Sequence, residues 1–351
     1  MRAHRSIWLT LAVVAFVLGG SWLLGRGPRL SGAPLANVPA GASGMLRIEP
    51  AALRASALWQ QGVVAQGGDR GLRELQARCG FDPLSSVEDL ILFATGGQAH
   101  QLQHVGVIAR GRFDLARLGA CMRSALEDSG GELERTELLG VPAMQGGGGN
   151  SRAAFIGDQA VIWGHERVVS RVIRTTRGEL ESADSDALLH ALYAELAPGQ
   201  PIVAVGRIPE AWRPALERHL GGASNGAAPS RTLLGLGVAA NLERGLSLRL
   251  LARTRSPEAA HALLTRLDAL RQEALERALG MSPLNPALRA LELRAHGADV
   301  EVRLTLEEPR LRELISSFFE SFQPAHRPAA PERSQRPSPP DERLDRSDRE
   351  R

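Results

Sequence analysis

Lysine is missing from this chain. All 42 basic residues among the 351 are arginine, and 39 acidic residues nearly balance them, leaving a formal net charge of +3. No block of bases stands alone, and aromatic residues make up only 4% of the sequence. A nucleic-acid binder needs a basic stripe with interleaved stacking aromatics, so nucleic acid is not an expected partner. Arginine, alanine, glycine and leucine dominate, which reflects a GC-rich genome and is not in itself a functional signal.

Motifs that carry chemistry are also lacking. The two cysteines, Cys79 and Cys121, do not form a Cys-x-x-Cys pair, which argues against thiol redox catalysis and zinc. The run Gly146-Gly147-Gly148-Gly149-Asn150 has no Gly-Lys-Ser/Thr after it, so it is a flexible connection between strands and not a phosphate loop. His100 and His104 stand four apart, but in a turn beside Gly96-Gly97 with no carboxylate close by. Ser85-Ser86-Val87-Glu88 has the form of a helix capping box. No Gly-x-Ser-x-Gly elbow occurs. Triads assemble in space and not in sequence, so an enzyme is not excluded outright. No catalytic, cofactor-binding or metal-binding residue is expected, and no cofactor.

What is present begins with a targeting segment. Arg2, His4 and Arg5 precede an apolar run from Ile7 to Leu24, at the lower edge of what spans a bilayer and longer than a usual signal h-region. No cysteine follows it closely, which excludes a lipoprotein signal. Ala40-Gly41-Ala42 resembles a signal-peptidase site but lies far beyond Leu24. Residues 1–24 are therefore expected to be an uncleaved inner-membrane anchor, with a cleaved signal as the alternative, and the globular part is placed in the periplasm. Residues 25–43, rich in Gly, Pro, Ala and Ser, are expected to form a flexible tether.

The clearest folded stretch is 231–280. Leu234, Leu236 and Val238 alternate along one strand, and Leu246, Leu248 and Leu250 along the next, with turn residues from Asn241 to Gly245 between them. Arg249 and Arg253 take the other face. Ser256-Pro257 then reads as an N-cap followed by proline at the first helical position. Ala260, Leu263, Leu264, Leu267, Leu270, Ala274 and Leu275 follow at helical spacing. The hairpin-helix unit recurs at 291–306 with a helix from Pro309, at 90–110 with a helix at 115–126, and at 153–163 with a helix carrying Val168, Val169, Val172 and Ile173. Each pair of units is preceded by a strand and helices.

The expected fold is therefore α+β: two similar halves, 44–180 and 199–323, each made of antiparallel hairpins with helices packed on the sheet, produced by tandem duplication. A connecting helix occupies 181–198. Residues 324–351 are Pro-, Arg- and acid-rich and are expected to be disordered.

The halves differ in their outward faces. Arg249, Arg253, Glu292, Arg294, Glu301, Arg303 and Glu307 give the second half a solvated face. In the first half the strands are apolar on both sides, which requires cover on both sides. Interdomain packing would supply it. The functional alternative is an apolar cleft lined by Ile91, Phe93, Ile108, Val161 and Trp163 for a protein or apolar ligand. The even cysteine count in an exported chain points to a Cys79–Cys121 disulfide.

The anchor, Cys79-Gly80-Phe81-Asp82-Pro83, Ala109-Arg110-Gly111-Arg112-Phe113-Asp114 and the Gly157-Asp158 turn together resemble a group of uncharacterised exported bacterial proteins. That group has a duplicated sheet-and-helix core and carries a domain of unknown function. The resemblance covers roughly 44–323 and implies an envelope protein; it supplies no active site. The leading expectation is a non-catalytic binding or scaffolding protein of the bacterial envelope. The alternatives are an envelope hydrolase with a spatially assembled site, and a structural spacer.

Overall fold

The computed structural model describes residues 28–322 except 29, 65–66, 68, 97–103, 128–132, 147–148, 221–228 and 278–284. The expected anchor (1–24) and tail (324–351) lie outside the described residues, as does His100. No helix among the described residues is long and apolar enough to cross a membrane.

The chain is α+β. Its strands are β1 Ala42–Ile48, β2 Val87–Thr95, β3 Val105–Gly111, β4 Leu133–Leu138, β5 Val141–Gly146, β6 Ser151–Ile156, β7 Ala160–His165, β8 Ile202–Arg207, β9 Leu233–Asn241, β10 Gly245–Thr254, β11 Leu291–His296 and β12 Asp299–Glu307. Its α-helices are α1 Pro50–Ala55, α2 Arg70–Cys79, α3 Leu115–Glu127, α4 Glu166–Thr176, α5 Ala187–Leu196, α6 Arg213–Leu220, α7 Pro229–Thr232, α8 Pro257–Arg277, α9 Asn285–Arg289 and α10 Glu308–Phe322. A π-helical turn spans Leu58–Val64.

All the strands join one antiparallel sheet in the order β11-β12-β10-β9-β8-β1-β2-β3-β7-β6-β5-β4. The two stretches expected to form halves thus share a single sheet. Their first strands, β1 and β8, pair at its centre from Gly44↔Gly206 to Ile48↔Ile202. Outward from that seam the succession is β8-β9-β10-β12-β11 on one side and β1-β2-β3-β7-β6 on the other. The hairpin β5-β4 is added beyond β6.

Paired residues share a face of the sheet, so the register separates two faces. One carries Met45, Ile91, Phe93, Ile108, Ile162, Val203, Val205, Ala239 and Leu251, all buried. It is sealed by Val168, Val169, Val172 and Ile173 of α4, by Leu189, Leu192 and Leu196 of α5, and by Leu35 and Val38. Each such side chain is worth about 1.5–3 kcal/mol when fully buried, which makes this layer the main source of stability. Close approach of the helices depends on missing side chains: a Cβ on Gly237 would lie 2.3 Å from Leu196 Cδ1 of α5, and one on Gly106 would lie 2.8 Å from Val168 Cγ1 of α4.

On the other face α8 covers the β10–β12 flank, where Ala260 and Leu263 pack with Ala252, Val300 and Leu233. The helix is capped as its sequence implies, Ala259 N donating to Ser256 Oγ at 3.3 Å. The turn before β10 closes at Gly245, which takes φ +116°.

Three local expectations differ from the structure. From Leu30 onward the supposed tether is packed, with Leu35 and Val38 in the core. Ser85 and Ser86 lie in the short 3-10 helix Pro83–Ser86 and Val87 and Glu88 begin β2, so no capping box forms. The cap there is Asp82, which accepts from Leu84 N. Of the hairpin β4-β5, only a strand leading into the glycine run at 146–149 was implied. Its turn uses Leu139 at φ +54°, a conformation rare for leucine, and the usual turn signal is therefore absent.

Candidate functional site

The second face of the sheet is apolar across its whole centre. One row runs Leu250–Val238–Ala204–Leu46–Leu92–Val107–Trp163, each residue paired with the next. The adjacent row runs Leu248–Ala240–Ile202–Ile48–Leu90–Ala109–Val161. Leu46, Leu92, Val107, Ala204 and Val238 are only half-buried, and Trp163 is 51% exposed. α1 packs on β2 and on the π turn, and α10 packs on the π turn, β10 and β12, so Trp163 is the residue of these rows that this open face leaves most exposed. The backbone groups of these central strands are used up in sheet pairing, so the strip presents side chains alone.

The sheet divides the five residues expected to line a cleft. Ile91, Phe93 and Ile108 lie on the sealed face, at 0%, 3% and 0% exposure. Val161 and Trp163 lie on the open face. The two sets are back to back and share no common space. Period-two alternation separates them in principle, but alternation alone does not say which face the helices cover. Sequence reasoning also missed Leu46, Ala204 and Val238. Their signal was that β1, β8 and β9 too are apolar on both sides.

Cys79 and Cys121 are bonded, their Cα atoms 4.7 Å apart, and the bridge ties α2 to α3. It is flanked by an Arg54–Asp82 ion pair at 2.5 Å and by Arg117 stacked 4.8 Å from the Phe81 ring. Between α1, the π turn and α2 lies a cavity of about 360 Å³ lined by Arg54, Trp59, Gln60, Asp69, Arg73 and Gln76 among others. Asp69 Oδ1 lies 3.1 Å from Arg73 Nη2 but makes no aligned hydrogen bond.

Two ionic clusters sit on the sealed face. Asp89 is buried between Arg47, at 2.7 Å, and Arg110. Arg47 also reaches Glu49 and the carbonyl of Gln200. Burial, with the Asp89 charge, pushes the nearby Tyr193 hydroxyl above its usual range despite Arg47 and Arg110. The second cluster modifies the expectation of a solvated face. Glu301 is only 4% exposed, held by Arg249 and, at 3.0 Å, by Arg303. Glu195 of α5 bridges Arg249 at 2.9 Å and Arg253 at 3.4 Å. Burial works against the Glu301 charge, but the Arg249 and Arg303 guanidiniums hold its carboxyl below its ordinary value. Each cluster is internally paired and packs elements together. Among the described residues no group of three or more His, Cys, Asp or Glu comes together as a metal site.

No protein-family model matches the chain, and no curated protein matches it. Among solved structures it is similar to one described as "Structure of crystal form I of TP0453", at 10% identity and a TM-score of 0.43, covering 82% of this chain and 98% of that one. A likeness this distant carries no argument about function.

Proposed function

We propose that this chain is a non-catalytic binding protein of the bacterial envelope, held in the inner membrane by residues 1–24 with its folded part in the periplasm. On this reading it takes an apolar ligand, such as an acyl chain, on the open sheet face. The observation that carries the reading is Trp163, half exposed beside a row that runs aliphatic from Leu250 to Val107. A surface with no free backbone donor or acceptor suits an occupant that needs no hydrogen bonds, because a polar group placed there would lose its partners. The Cys79–Cys121 bond supports export, since disulfides persist in oxidising compartments. The matching strand succession on either side of the β1–β8 seam supports tandem duplication.

The test is native mass spectrometry of a soluble form beginning at Pro28, together with tryptophan emission during titration with fatty acid or phospholipid. A co-purifying apolar molecule, and an emission change lost in Trp163→Phe, are the expected outcomes. A protein that arrives empty and shows no Trp163-dependent change would overturn the ligand.

A further inference from the structure

Residues 30–42 enter the fold as a strap. Arg110 Nη1 donates to the carbonyls of Ser31 and Gly32 at 2.9 and 3.1 Å. Asn37, fully buried, accepts from Ser31 N at 2.8 Å and donates to the carbonyls of Ser31 and Ala33. Leu35 and Val38 fill the core beneath α4 and the turn before α5. Ala183 N donates to Val38 O at 2.7 Å, Ala40 N donates to Glu181 O at 2.9 Å, and Arg171 Nη2 donates to Ala40 O at 2.6 Å.

Two consequences follow. Cleavage after Ala42 would strip Asn37, Leu35 and Val38 from the core and cut at a residue that is itself buried at the start of β1. The fold therefore speaks against that processing site. The second consequence is geometric. Six Cα steps separate Leu24 from Leu30, a reach of about 20 Å fully extended. That is well short of the nine-residue strand β2, about 30 Å long at about 3.3 Å per residue. A domain on so short a lead cannot turn end over end above a membrane.

We propose that the apolar segment is retained and that the strap fixes the domain's orientation on the bilayer. The sheet end beside Arg110, with the turns 112–114 and 157–159, faces the lipid surface, and the end at 149–150 faces away. Gly111 N and Phe113 N bond to the carbonyls of Gln159 and Asp158, which places both turns at the end where Arg110 clamps Ser31. Asn150 and Asp158 flank the two ends of the same strand, β6. This inference rests on the membrane-anchored reading.

The experiment uses the full disulfide-bonded chain in vesicles whose lipid headgroups carry a quencher. A fluorophore is placed on Asp158→Cys or on Asn150→Cys. Quenching several-fold stronger at 158 than at 150 is expected. Ten Gly/Ser residues inserted between Arg29 and Leu30 should bring the two probes to equality without touching the fold. Equal quenching before the insertion overturns the orientation. Intact-mass measurement separates the failures: a chain lacking residues 1–24 overturns retention, whereas an intact chain found free of membranes sinks the anchoring reading and this proposal with it.

Discussion

Glu301 shows what alternation can and cannot say about one residue. Its position in β12 places it opposite Val300 and Val302, on the polar face, and that much is legible from a period of two. Its burial is not. It arises because Glu195, on a helix a hundred residues earlier, draws Arg249 and Arg253 over the strand. The energetic consequence has a definite sign. The folded state holds the Glu301 carboxyl below its ordinary 4.5, so its contribution is present above that value and is lost as pH falls through the folded-state value. Denaturant midpoints at pH 7 and pH 3 should show this. Glu301→Gln is expected to lower stability at pH 7 and to flatten part of the acid dependence. An unchanged slope would mean that the cluster does not distinguish charged from neutral Glu301.

At the scale of elements, α2 is held by its bridge more than by packing. None of its residues is fully buried, and its C-terminal residue is Cys79 itself. Closing a loop of this length is worth about 4 kcal/mol in the chain-entropy model. With so little apolar burial in the helix, removal of the bond is expected to free α2 locally before it unfolds the sheet. In Cys79→Ser/Cys121→Ser, amide exchange over 70–79 should rise strongly while β2 and β3 keep their protection. Protection retained in α2 would show that α3 and the Arg54–Asp82 pair suffice. The hairpins and helices around 231–280 were legible because alternation, turn residues and caps agree there. β4 was not, because Glu134, Arg135 and Glu137 leave it little apolar pattern and Leu139 hides its turn.

At the scale of the whole molecule, the sheet and α10 make the two stretches one body. β1 pairs with β8, and α10 packs on β10 and β12 as well as on the π turn of the first stretch. Leu311 and Ile315 are buried in that contact layer. The side chains of Phe318, Phe319 and Phe322 lie outside the described residues. Ile315→Ala is expected to cost about 2–5 kcal/mol, the usual range for emptying a core site. Unfolding should remain a single transition with a lowered midpoint. Two separated transitions would show that the stretches fold independently despite the shared sheet.

By itself the sequence determined what depends on neighbours along the chain. Period-two runs, Ser256-Pro257 and the turn ending at Gly245 specify the second-half hairpins and helix, and composition argues against nucleic-acid binding. The tertiary structure decided what depends on neighbours across space. Residues 30–42 look like a linker because their Gly, Pro and Ala have no periodicity, yet Leu35 and Val38 find a gap that only α4, α5 and the sheet together create. Ile91 and Trp163 look alike in apolar strands, but one lies beneath helices and the other beneath almost nothing. A strand's own residues state that both faces are apolar; which face is covered depends on where later helices settle, and that depends on the packing of the whole chain.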